Sequence, residues 1–160
     1  MACFVILARH PSSGPGYARS TFPAGEGDLR RGRRTEVLRI YAPVPPGRLR
    51  ADVAAVCTLL EALAPEKILA SPIHVGFGTL WCAHGRLPVP APATALLLEG
   101  LPTEAGDVEG ELCTPTGAAL IREFVEGFGE MPQGIVLKEG RGLGKKDFPK
   151  PNCLRAFEIE

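Results

Sequence analysis

Helical and strand-like segments follow one another in this sequence without a regular repeat. That order predicts an α/β fold, a small mixed sheet packed by about three helices. Three observations carry the prediction: an amphipathic run over Ala51–Leu63, a capped apolar stripe that starts at Thr114, and short apolar runs at 67–70, 135–139 and 154–159.

Taken in order, residues 9–36 are rich in Gly, Pro, Ser and Arg with little apolar periodicity. Such a stretch buries too little apolar surface to offset the entropy of ordering, so residues 1–50 are expected to form a disordered, basic N-terminal extension and residues 51–160 the folded domain. The apolar start Ala2–Ala8 is short, lacks a charged leader, and runs into Arg9-His10-Pro11, so it does not read as a secretion signal. From Asp52, the residues Val53, Val56, Leu59, Leu60 and Leu63 recur at three- and four-residue spacing; Asp52 is the expected cap, and Pro65 ends the helix.

Lys67–Ala70 predicts a buried strand closed by Ser71-Pro72, and Val75–Ala83 a second extended segment with a bulge near Gly76 and Gly78. Leu87-Pro88-Val89-Pro90-Ala91-Pro92 predicts a polyproline-like path, because every second residue has its φ fixed. Pro92 suits the first turn of a helix through Ala93–Glu99, with Gly100 at its end. Thr114 caps a third helix with Pro115 at its first position, and Ile121, Phe124, Val125 and Phe128 give it one apolar face before Gly129. Ile135–Glu139 and Leu154–Ile159 are strand-like, and the glycines and prolines between them let the two lie side by side.

The net charge of zero conceals a split: residues 1–50 carry nine arginines against three acids (+6), residues 51–160 nine basic against fifteen acidic side chains (−6). The arginines lie among glycines and prolines with no aromatic spacing and no helical face, which argues against a nucleic-acid-binding arm. Five widely spaced cysteines without a C-x-x-C pair point away from a disulfide framework and a structural zinc site, and fit a reducing cytoplasm. No stretch approaches the length needed to span a bilayer.

Three places could carry chemistry. Cys82 and His84 stand two positions apart, on one face of an extended backbone, within reach of a soft metal; equally, they could be a packed thiol and a hydrogen-bonded imidazole. Glu109, Glu111 and Cys113 share a face in the same way, and the carboxylates are suited to metal capture or proton transfer, or to solvation alone. Gly140-Arg141-Gly142-Leu143-Gly144-Lys145-Lys146 is a glycine-rich turn whose amides and cations could cradle a phosphate, or simply a flexible connection between two strands. It is not a P-loop, because Glu139 replaces the first glycine and Lys146 the magnesium-binding hydroxyl. His74 stands alone and reads as structural.

Three longer segments resemble the LarC family: Ala70-Ser71-Pro72 with Gly76 and on through Cys82-Ala83-His84-Gly85 to Thr94; Glu109-Gly110-Glu111-Leu112 with Thr114-Pro115-Thr116-Gly117-Ala118-Ala119-Leu120; and Gly140, Gly142, Gly144, Asp147-Phe148-Pro149, Pro151-Asn152 and Leu154-Arg155. The resemblance covers about residues 51–160. It implies part of a nickel chelatase, which inserts nickel into a pyridinium bisthiocarboxylic acid mononucleotide with the help of CTP and a divalent metal. It implies His84, with Cys82, as metal-handling residues, Glu111 and Asp147 as catalytic groups, and Thr114, Thr116, Gly142, Gly144 and Lys145 as substrate or cofactor contacts. The family's histidine-rich H-x-H-E element is replaced here by Arg39-Ile40-Tyr41-Ala42-Pro43, and the larger C-terminal region expected to bind CTP is not found before Glu160. A separate C-terminal LarC-like domain is therefore an expected partner. A non-catalytic scaffold that binds the mononucleotide phosphate is the alternative function.

Overall fold

The computed structural model describes residues 4–8, 48–82 and 85–160. Their elements run β1 (Phe4–Ala8), α1 (Arg48–Leu63), β2 (Lys67–Ala70), β3 (Ile73–His74), β4 (Thr79–Cys82), β5 (Gly85–Pro88), α2 (Pro92–Leu97), β6 (Thr103–Glu104), α3 (Pro115–Phe124), β7 (Gly127–Phe128), β8 (Val136–Leu143) and β9 (Cys153–Ile159). The expected class holds: the described residues form a five-stranded mixed sheet, two small sheets and three helices.

The sheet has the order β7-β2-β1-β9-β8. β1 is antiparallel to β2 and parallel to β9, so Ile6 stands opposite both Leu69 and Phe157. These three, with Ile159, close into one buried cluster. A run such as Phe4-Val5-Ile6-Leu7-Ala8, apolar at every position, suits a strand with neighbours on both sides. It lies in the middle of the sheet, so part of the stretch expected to be a disordered extension is a central strand. Residues 48–50 of it open α1, and the rest, with the 39–43 segment, lies outside the described residues.

A second core forms among the helices. Val53 and Cys57, one turn apart on α1, pack on Ala119 of α3, with Leu97, Leu120 and Phe124 around them. Ala118, on the neighbouring side of α3, joins Ile73, Val75, Leu98 and Cys113.

Several expectations about element ends are corrected. α1 begins at Arg48, which puts Asp52 inside the helix and not at its cap. Leu59 is 60% exposed, because it lies on the far side from Val53 and Cys57. α3 stops at Phe124, where Val125 turns extended and Gly127–Phe128 pairs with β2; Glu126 N–H donates to Ile68 O (2.8 Å) and Gly129 N–H to Ala70 O (2.9 Å). Phe128 still packs against the same buried cluster as Ile121, but from a strand.

The segment expected as one strand over 75–83 is broken by positive φ at Gly76 and Gly78, which leaves β3 and β4 separate. Leu87-Pro88 belongs to a hairpin in which β5 pairs with β4, and only then does the chain turn at the cis Val89–Pro90 bond. The glycine-rich stretch expected as a turn is largely strand, since β8 continues to Leu143 in register with β9.

Candidate functional site

The site is assembled from loops that the two cores hold in place. After β3, which pairs in parallel with β6, the chain runs alongside residues 104–112. Val75 N–H donates to Glu104 O (2.9 Å), Phe77 N–H to Val108 O (3.2 Å), Gly110 N–H to Phe77 O (2.9 Å) and Leu112 N–H to Val75 O (3.1 Å). The two backbones come so close at Gly76 that a Cβ there would lie 1.8 Å from Gly110 O, and its φ of +82° also favours glycine.

The β8–β9 loop, residues 144–152, lies across this pair as a strap. Phe148 rests against Gly110, where a Cβ would come within 2.8 Å of the ring. Lys146 Nζ stands 3.8 Å from Glu111 Oε2, and Lys150 pairs with the Asp107 carboxylate. At the strap's root Gly144 N–H donates to Asn152 O at 3.0 Å. Two opposite-charge contacts and one ring contact thus fix it to the 107–111 segment.

Between strap, β3 and the start of α3 lies a cleft of about 190 Å³. His74, Asp107, Thr114, Lys150, Asn152 and the thiol-bearing Cys113 and Cys153 are among its lining residues. Thr114 faces it as the helix cap, its Oγ1 accepting from Gly117 N–H at 3.3 Å. His74 Nε2 is 3.6 Å from Glu104 Oε2, and the imidazole is largely buried. The cleft therefore offers a lysine ammonium paired with the Asp107 carboxylate, an amide, a hydroxyl and an imidazole around a partly apolar floor, polar groups able to orient a small ligand.

Of the residues singled out from the sequence, Thr114 lines this cleft. Glu111 adjoins it, its side chain 12% exposed and facing Lys146. Lys145 and Asp147 are exposed on the strap, Gly144 sits against the Asn152 side chain, and Thr116 is half-buried in the first turn of α3. Gly142 is in the β8 ladder opposite Leu154; its extended backbone is not the alternating αR-αL nest that cradles an anion. Cys82 is exposed at the end of the β4–β5 hairpin opposite Gly85, and His84 lies outside the described residues. No group of three or more His, Cys, Asp or Glu side chains among the described residues is placed to hold a metal ion.

Sequence reasoning read His74 as structural and did not single out Asp107 or Lys150; all three line the cleft. The signal for Lys150 was its place between Pro149 and Pro151, two residues before Asn152 in the third motif, where the prolines fix the turn that carries it. Nothing comparable marked Asp107.

Residues 50–160 match the nickel insertion protein family, well over half of the chain. The chain belongs to that family. It is 56% identical over 104 residues to a pyridinium-3,5-bisthiocarboxylic acid mononucleotide nickel insertion protein of Desulfitobacterium hafniense, a stretch that covers 65% of this chain and 26% of the relative. A putative nickel insertion protein of Citrifermentans bemidjiense is 50% identical over 107 residues (66% and 28%), and a pyridinium-3,5-bisthiocarboxylic acid mononucleotide nickel insertion protein of Staphylococcus epidermidis 43% over 109 residues (68% and 28%). This nickel insertion family member thus spans about a quarter of the length of the curated relatives it matches. No solved structure matches it. Within the family match lie all the cleft residues and α1 from Arg50 on, whereas β1 lies outside it. No helix among the described residues is long and apolar enough to cross a membrane.

Proposed function

We propose that the chain is the part of a nickel insertion protein that holds the pyridinium bisthiocarboxylic acid mononucleotide while nickel is delivered to it. The observation that carries this is the convergence of the second and third motif segments, 109–120 and 140–155, on one cleft with Lys150, Asn152 and Thr114 at its wall. Lys150 and the Asn152 amide are the phosphate-facing groups, with Gly144 and Lys145 next to them on the strap; Thr114 and Thr116 stand at the start of α3, where the helix dipole also favours an anion. Glu111 and Asp147 flank the cleft and are the carboxylates available to take up a proton. Nickel is the cargo, and sulfur donors suit a late transition metal. His84 and Cys82 are its proposed carriers.

The described residues hold no cluster fit for a resident divalent metal, and no step is routed through one. CTP is assigned to the larger part of the protein beyond this quarter, and a C-terminal LarC-like domain is the proposed partner. A second reading is a scaffold that binds the mononucleotide phosphate without handling nickel, and the same cleft wall of Lys150, Asn152 and Thr114 supports it.

Calorimetric titration with a pyridinium carboxylic acid mononucleotide tests the shared core of both readings. Binding is expected, weakened about tenfold or more by Lys150→Ala, since one charge-assisted contact is lost. No binding, or binding indifferent to Lys150→Ala, removes the cleft as the site. Nickel measured by atomic absorption after desalting with the bisthiocarboxylate mononucleotide then separates the two. Retained nickel that is lost on His84→Ala supports insertion, and ligand binding without nickel supports the scaffold.

A further inference from the structure

The outer edge of the five-stranded sheet is the longest exposed strand in the described fold. β8 is the terminal strand in the order β7-β2-β1-β9-β8, and each of its eight residues is exposed. Ile135, Val136, Leu137 and Leu143 are between 45% and 77% exposed there, with Leu154 of β9 beside them at 45%. An edge of this length, with apolar side chains along it, is a template for another strand.

Its geometry restricts what can pair with it. Gly144 N–H donates to Asn152 O, which marks 144 and 152 as a hydrogen-bonded pair, and the ladder keeps that register back to Lys138 opposite Glu158. Hydrogen-bonded and non-bonded pairs alternate along an antiparallel ladder. Lys138, Gly140 and Gly142 therefore direct their amides and carbonyls to β9, and Glu139, Arg141 and Leu143 direct theirs to the open edge. A two-fold-related second copy must pair odd-numbered residues with odd-numbered ones.

Charge then selects among the few registers left. A two-fold centred on residue 139 sets Glu139 against Glu139, and one centred on 141 sets Arg141 against Arg141; like charges directly opposite are unfavourable. Centred on Gly140, the two-fold sets Glu139 of each copy against Arg141 of the other, twice, and Leu137 against Leu143. Glu139 already accepts from Arg141 Nε (2.9 Å) and Arg155 Nε (2.8 Å), so the cross-copy pairs extend an existing ion cluster. Gly140 itself has nothing within 4 Å of where a Cβ would be, which leaves the axis free for close approach of the two backbones. The bulge between Val136 and Lys138 ends the regular edge on one side.

We propose that β8 is a self-association edge, pairing antiparallel with β8 of a second copy in the register centred on Gly140 and joining two five-stranded sheets into one. The occupant is a second copy because the strand is charge-complementary to itself in one register.

Sedimentation of the 160-residue chain across a concentration series tests it. The expected mass is twice the 17.0 kDa of one chain. Glu139→Arg alone and Arg141→Glu alone are each expected to sediment as monomers with unchanged circular dichroism, while an equimolar mixture of the two returns to the dimer mass, because each then offers the other opposite charges at both positions. Should either variant unfold, Gly140→Cys decides: mild oxidation is expected to join two copies through position 140, seen as a 140-to-140 peptide by mass spectrometry. A wild-type chain that stays monomeric throughout, variants that remain dimeric, a mixture of folded variants that stays monomeric, or a cross-link that avoids position 140 would overturn the proposal. The strand's being covered by another part of a longer chain would appear as the first of these.

Discussion

Gly76 and Gly110 stand where two backbones and a phenyl ring press together, while Gly140 and Gly142 stand in an extended strand with open space above both. All four fall within the motif segments, and in the sequence they look alike. In the structure the first pair is a packing requirement: a Cβ at Gly76 would meet a carbonyl oxygen and one at Gly110 a ring, and both residues have positive φ. The second pair has neither constraint. A glycine is required by what lies opposite it, and that neighbour lies tens of residues away in the chain.

The largest effect that tests the difference is at Gly76. Gly76→Ala forces a methyl into Gly110 O and strains the backbone, at an expected cost of about 2–5 kcal/mol. Urea unfolding of the purified chain reads it, and a loss under 1 kcal/mol would mean that the two backbones separate easily. Gly110→Ala comes next, at about 1–3 kcal/mol, since the Phe148 ring can move aside where a carbonyl cannot. Moving the ring lifts the strap, so mononucleotide affinity is expected to fall more steeply than stability. Equal loss of both would disconnect the strap from the cleft.

Much of this fold was legible because its signals are local. Thr114-Pro115 names a helix start within two residues, and the helix begins there. The 135–139 and 154–159 runs read as partners and are partners. What was not legible depended on distant contacts. β1 reads as a stray apolar run because its neighbours, β2 and β9, are some sixty and one hundred and fifty residues further on. β7 is two residues long, too short for any period, and was absorbed into the helix before it. The cleft depends on Lys150 meeting Asp107 and Lys146 meeting Glu111, contacts between chain segments that no spacing rule connects. Hence the helix start at Thr114 was legible, and the meeting of His74, Asp107 and Lys150 at one cleft was not.

Smaller effects sharpen the same contrast. Thr114→Ala removes the hydroxyl that accepts from Gly117 N–H and is expected to cost about 1 kcal/mol of stability, with weaker mononucleotide binding if the cap also faces the ligand. Thr114→Ser restores both, and calorimetry alongside thermal melting distinguishes them. Gly142→Ala, by contrast, is expected to leave stability unchanged or to raise it by about 0.5 kcal/mol, because alanine suits an extended strand better. Mononucleotide affinity is expected to stay at the wild-type value, and a marked loss would place the ligand against the open face above Gly142, where the added methyl lies.

The smallest expected effect concerns the open edge. Arg141 and Arg155 donate to the Glu139 carboxylate and hold its pKa down at about 2, from 4.5. A carboxyl depressed in the folded state stabilises the fold above its unfolded value, and that contribution is lost as pH falls from 4.5 through about 2. Because the group is on the surface, salt and solvent screen the contribution, and it is expected to be weaker than any change at the buried glycines. At a dilution that keeps the chain monomeric, melting curves between pH 5 and 2 should therefore run nearly parallel for wild type and Glu139→Gln, converging slightly toward the acid end. A wide gap at pH 5 would instead mean that the ion cluster holds β8 on the sheet, and would place at the edge the kind of constraint that Gly76 and Gly110 show in the interior.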